Sequence, residues 1–115
     1  MMEDIFCKII NKELPAEIVM EEEEWLAIKD IHPKAPVHIL IMPKKHWGGL
    51  GDAQEGDADL LGRLLIAVHK VAEKMGLAEK GYRVIINNGV EGGQLVPHLH
   101  IHLLGGKILG PKMIN

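Results

Sequence analysis

In residues 4–11, DIFCKIIN, the apolar side chains Ile5, Phe6, Ile9 and Ile10 recur at helical spacing behind Asp4. An aspartate there accepts from the free N–H groups of a first turn, so the pattern predicts a short amphipathic helix, with Pro15 closing the region. Two short apolar runs follow, EIVM at 17–20 and WLAIKDI at 25–31, on either side of the four glutamates 21–24. They predict a β-hairpin with the glutamates in a solvated turn. Pro33 and Pro36 bracket a further turn, and VHILIM at 37–42 predicts a strand that Pro43 stops.

Beyond a glycine-containing loop the period changes again. Asp52-Ala53-Gln54-Glu55 reads as a helix start, and the helix it opens runs to about Met75. Leu60, Leu61, Leu64, Leu65, Val68, Val71, Ala72 and Met75 form its expected buried stripe, with Gly76 as the C-cap. His69 borders that stripe and is expected as a partly buried structural histidine. YRVIIN at 82–87 predicts another strand, NNGVEGGQ at 87–94 a loop, and HLHIHLL at 98–104 the last strand. The order is helix, two strands, strand, long helix, two strands. That is an α+β domain, residues 1–115 as a single unit, with a mainly antiparallel sheet of about five strands.

Composition narrows the function classes. The 115 residues are 47% hydrophobic and 25% charged, an ordinary globular balance. A net charge of -3 gives no electrostatic case for a nucleic-acid partner, and aromatics at 3% make no stacking platform for single strands. Lone Cys7 excludes an internal disulfide and fits a reducing compartment. MMEDIFCK reads as no signal peptide, and no window has the apolar length of a membrane span. A cytoplasmic protein without a membrane partner is expected.

The last strand carries the chemistry. On a strand, residues i, i+2 and i+4 share a face, so His98, His100 and His102 point one way and Leu99, Ile101 and Leu103 pack the other. At a rise of ~3.3 Å per residue, His98 and His102 stand ~13 Å apart along the strand, beyond the reach of one zinc ion with ~2 Å bonds. A surface decoration is the plain alternative. A central histidine oriented and tuned by its two neighbours fits the spacing better. Neutral imidazole, with an ordinary pKa of ~6.5, is available as a nucleophile toward phosphorus at neutral pH. A neighbouring imidazole can hold the proton that a leaving group needs, and no Asp or Glu lies between Gly92 and Gly110 to compete for that role. His38, on an alternating strand of its own, is a fourth candidate; a hydrogen-bonded structural histidine is its other reading. The NNGVEGGQ loop adds glycines that let backbone N–H groups turn toward an anion, although such residues also make ordinary turns.

GGQLVPHLHIHLLGG resembles the signature of the histidine triad (HIT) superfamily, His-φ-His-φ-His-φ-φ with φ apolar. IFCKIINKELPA, DIHPKAPVHILIMPKKH, GYRVIINNG and the ending GGKILGPKM resemble stretches of its Hint branch in the same order, so the likeness covers nearly the whole chain. The resemblance implies a HIT-like fold with one long and one short helix, and a homodimer that joins two sheets into one. It implies a hydrolase of purine nucleoside 5′-phosphoramidates, releasing AMP or GMP and an amine, with no cofactor required.

By that resemblance His100 is the nucleophile that carries a transient nucleotidyl group. His102 and His38 complete the triad at the phosphate, able to relay or hold a proton, and His98 supports from behind. Asp30 would bind the ribose hydroxyls, Ile5, Phe6 and Ile31 would line the base pocket, and Asn87, Gly93, Gln94 and the Leu95 backbone would address the phosphate. Leu95 stands where the family often has a hydroxyl residue, and Pro97 where aromatic residues are frequent; the first implies altered efficiency. Some relatives bind zinc through Cys-x-x-Cys and two histidines. Here the first cysteine position is Asp4, so a mixed Asp4, Cys7, His46 and His98 site stands against the plainer reading of an inert, buried Cys7. The alternative function is a non-catalytic nucleotide-binding or zinc-binding module of the same fold.

Overall fold

The computed structural model describes residues 4–111. The first three residues of MMEDIFCK, and the end of GGKILGPKM from residue 112 on, lie outside the described residues. Helix α1 (Ile5–Ile10) starts where the sequence places it, with the Cys7 N–H donating to the Asp4 carboxylate at 2.7 Å. β1 (Ile18–Glu21) and β2 (Trp25–Lys29) form the hairpin. Its acidic turn is exposed but clasped to the long helix: Arg63 makes a two-pronged contact with Glu24 at 2.6 and 3.0 Å.

β3 (Val37–Pro43) keeps Pro43 as its last residue, paired with Trp25, rather than stopping before it. The long helix α2 (Ala58–Lys74) begins later than Asp52, because residues 50–57 first make two 3₁₀ turns. Gln54 and Asp57 cap the second of these reciprocally. Leu64, Val68, Val71 and Ala72 are buried as expected, joined by Ala67, whereas Leu65 is exposed. Leu65 and Ile66 lie on the side of the helix left to solvent. His69 is exposed as well, 3.1 Å from Glu73 one turn on, so it has no structural place in the core. Gly76 takes the left-handed conformation of a C-cap at φ 74°.

β4 covers only Arg83–Ile85, and β5 spans Ile101–Gly105 rather than 98–104. His98 and His100 therefore precede the regular ladder. Their alternation survives because the Leu99 N–H donates to the Trp47 carbonyl at 2.7 Å, holding the segment extended against the 46–49 loop.

Among the described residues the five strands are all antiparallel, in the order β1-β2-β3-β5-β4. The two sheet faces differ in cover. Trp25, Ala27, Ile39, Ile41, Ile101 and Leu103 pack with Leu99 against α2. Leu26, Ile28, Leu40 and Met42 face Phe6 and Ile9 of α1. Alternation puts His38 and His102 on this second face, where six-residue α1 covers less of the sheet than seventeen-residue α2 covers of the other. Among the described residues no helix is long and apolar enough to cross a membrane.

Candidate active site

Register brings the histidines together. β3 pairs with β5 so that Leu40 lies opposite His102 and His38 opposite Leu104. His38 and His102 are thus diagonal neighbours, within reach of one another. Their facing nitrogens, His38 Nε2 and His102 Nδ1, are 2.9 Å apart. His100 stacks edge-on between them and α1, with ring centroids 5.1 Å from His102 and 5.0 Å from Phe6. All four of His38, His98, His100 and His102 are buried.

Backbone groups fix where the ring protons sit. His100 Nδ1 lies 2.7 Å from the His98 carbonyl, which can only accept, so Nδ1 carries the hydrogen and Nε2 keeps a free lone pair. The Lys34 N–H donates to His38 Nδ1 at 3.0 Å, which leaves His38 protonated at Nε2. That N–H faces His102 Nδ1 at 2.9 Å, with an Asp30 oxygen 3.4 Å away. His102 is then protonated at Nε2, a buried atom without a hydrogen-bond partner among the described residues.

Burial lowers the pKa of His100, opposed mainly by its bond to the His98 carbonyl. Burial also lowers His38, partly offset by Asp30. His102 is pushed down to about 4 by burial and by the charges that His100 and His38 carry when protonated. The triad is a set of neutral imidazoles at neutral pH.

The other candidate residues surround this centre. Asp30 is mostly buried, accepting from the His32 N–H at 2.8 Å with one oxygen while the other faces His38. Phe6 is buried against the His98 and His100 rings, while Ile5 and Ile31 are exposed, Ile31 at 81%. The side-chain nitrogen of Asn87 is buried with no partner among the described residues, an unused donor.

Gln94 departs from expectation. Its side-chain nitrogen donates to the Gly48 and Val96 carbonyls at 2.6 and 2.9 Å, and its oxygen accepts from Gly89. The Gly93 and Gln94 backbone N–H groups close turns onto Val90 and Gly89. Gln94 and Gly93 therefore shape the loop rather than offer donors to an anion. Leu95, 83% exposed, has an N–H that no loop carbonyl takes among the described residues. Three contributors had no signal in the sequence: the Lys34 amide, the Pro43 carbonyl and the 48–51 loop, where Gly51 bonds the Asn88 side chain at 2.7 Å. Backbone groups carry no residue-type signature.

A second cluster sits behind the triad. Asp4, Cys7, His46 and His98 bring potential ligand atoms within 4.8 Å of one another. Cys7 Sγ is 3.3 Å from His46 Nδ1 and 3.6 Å from His98 Nδ1, and an Asp4 oxygen is 3.2 Å from each ring nitrogen. His98 Nε2 faces the Pro43 carbonyl at 3.0 Å, the outer contact that frees Nδ1 for a cation. Cys7 is half-buried and in polar company rather than fully buried as expected. The Cys7 N–H and His98 outweigh burial and keep the Asp4 carboxyl below its ordinary value. One thiol, one carboxylate and two imidazoles fit zinc in donor type and number.

Asp30, His38 and His102 also approach within 4.8 Å, but a ring proton already lies between the two facing nitrogens.

The HIT domain profile matches residues 11–108. The chain belongs to the HIT family. It is 45% identical to the purine nucleoside phosphoramidase of Escherichia coli K12 over 113 residues, 98% of this chain and 95% of that protein. It is 50% identical to the Arabidopsis thaliana adenylylsulfatase HINT1 over 105 residues, 90% of this chain and 71% of that one. Among solved structures, a HIT family hydrolase from Clostridium thermocellum superposes with a TM-score of 0.93 at 52% identity, covering 99% of both chains. In this HIT protein the motif histidines are the ones that β5 and the segment before it bury beside His38.

Proposed function

We propose that this HIT protein hydrolyses purine nucleoside 5′-phosphoramidates through a nucleotidyl-His100 intermediate. The observation that carries the reading is the bond from His100 Nδ1–H to the His98 carbonyl, which directs the Nε2 lone pair outward and stabilises the charge the ring gains on attack. The named activity of the E. coli relative supports the substrate class.

His100 Nε2 attacks phosphorus, and the P–N bond breaks with its electron pair leaving on nitrogen. The departing amine takes up one proton from solvent. Water then attacks phosphorus, the His100–P electron pair returns to Nε2, and water's surplus proton goes to solvent. The His102 Nε2–H and the Leu95 and Asn87 N–H groups would stabilise charge on the phosphoryl oxygens. Asp30 would accept from the ribose hydroxyls, with Phe6, Ile5 and Ile31 against the base.

A zinc ion at Asp4, Cys7, His46 and His98 would pin α1 to the segment before β5; it would serve structure and take no part in the steps above. Two such chains would pair along the outer edge of β4 as a homodimer.

The test is turnover of an adenosine phosphoramidate in excess EDTA, with and without added Zn²⁺. Release of AMP and amine is expected in both, with Zn²⁺ raising the melting temperature as a ligand of the native state does. Loss of turnover in EDTA, restored by metal, overturns the metal-free mechanism. AMP binding without turnover favours the binding-module alternative.

A further inference from the structure

A neutral imidazole has one proton, and giving it up outright leaves an imidazolate with a pKa far above neutrality. Whether His102 acts as an acid therefore depends on whether it can hold a second proton at Nδ1. Its Nδ1 faces His38 Nε2 at 2.9 Å, and two N–H groups cannot point at each other there. His38 would have to move its own proton to Nδ1, but that nitrogen already accepts from the Lys34 N–H at 3.0 Å. Asp30, 3.4 Å from His38 Nε2, favours the same placement, since a carboxylate oxygen also calls for a hydrogen on that nitrogen. Three groups thus agree on one arrangement of protons, and its free end is the buried, unpartnered His102 Nε2–H.

We propose that the Lys34 backbone amide is a tautomer lock: through His38 it holds His102 as a neutral Nε2–H donor that gives the substrate a hydrogen bond and not a proton. The relay expected from the histidine spacing is replaced by a fixed dipole. Lys34 is a positioning residue, acting through a main-chain group that any non-proline residue supplies. The lock depends only on this chain's geometry; that its hydrogen bond goes to a phosphoryl group rests on the proposed function. Burial and the neighbouring imidazoles, which hold the His102 pKa near 4, act in the same direction.

Two-bond ¹H–¹⁵N spectra of histidine-labelled protein near neutral pH, free and with AMP, read the tautomers directly. His38 and His102 are both expected protonated at Nε2 alone, in both states. A His38 protonated at Nδ1, or a His102 protonated at both nitrogens with AMP bound, overturns the proposal.

Lys34→Pro removes the amide hydrogen and Lys34→Ala keeps it. The proline variant should lose the His38 tautomer preference and roughly 10- to 100-fold in kcat, as loss of an outer-shell partner does. The alanine variant should match wild type in both. Wild-type tautomers and kcat in Lys34→Pro overturn the lock. Should that variant not fold, the wild-type spectra decide alone. Expected tautomers in a protein that neither binds AMP nor turns over a phosphoramidate leave the lock standing and sink the proposed function.

Discussion

His100 differs from its neighbours in what its nitrogens face, not in residue type. His98 presents both nitrogens to acceptors, Asp4 and the Pro43 carbonyl, and His102 Nδ1 is taken by His38. Only His100 combines a Nδ1–H held by a carbonyl with an uncommitted Nε2. His100→Ala should therefore lose several orders of magnitude of phosphoramidase activity, as losing a covalent catalyst does, and still bind AMP. A variant that keeps more than about a tenth of wild-type kcat contradicts the assignment. The sign of the pH effect follows from burial. A nucleophile whose pKa lies below its ordinary ~6.5 stays unprotonated further into acid, so the acid limb of kcat/KM should have its midpoint below that value. A midpoint at or above it would show that His100 is not the titrating nucleophile.

At the scale of elements, the site depends on which residues each face of the sheet keeps dry. α2 presses Leu64 and Val71 onto the face opposite the histidines, and both are fully buried. Leu65, next in sequence, is 55% exposed. Leu64→Ala should cost about 2–5 kcal/mol of stability. Leu65→Ala should stay within ~0.5 kcal/mol as a surface change. Equal effects in a denaturant titration would mean that the helix is rotated from the orientation described. Helical period alone admitted both leucines to the buried stripe. Packing of the helix on the sheet buried Leu64 and left Leu65 to solvent. The start of β5 is likewise a tertiary matter, since HLHIHLL alternates throughout while the ladder begins only at Ile101.

On the scale of the whole molecule, β4 (Arg83–Ile85) stands last in the strand order of the sheet, and Val84 is 40% exposed. Tyr82 beside it is 38% exposed. An edge strand with exposed apolar side chains invites a second strand. Light scattering at micromolar concentration should give about twice the 12.7 kDa mass of the chain. A mass near the single chain would contradict the homodimer.

Local order determined much of this protein without any fold in view. Asp4 caps α1, Gly76 ends α2, and the alternation of His98, His100 and His102 with Leu99, Ile101 and Leu103 separates chemistry from core, because periods of 3.6 and 2 depend only on the backbone. The motif was complete in the sequence, and with it the family. What only the tertiary structure decided lies between segments far apart in the chain. Register set His38 diagonal to His102, 64 positions away, and the loop before β3 set the Lys34 amide against His38. The Gly48, Val96 and Gly89 contacts turned Gln94 from an expected phosphate donor into a loop brace. Proton positions follow from such contacts, since a ring nitrogen carries a hydrogen or a lone pair according to what it faces, and residue order alone does not say what that is.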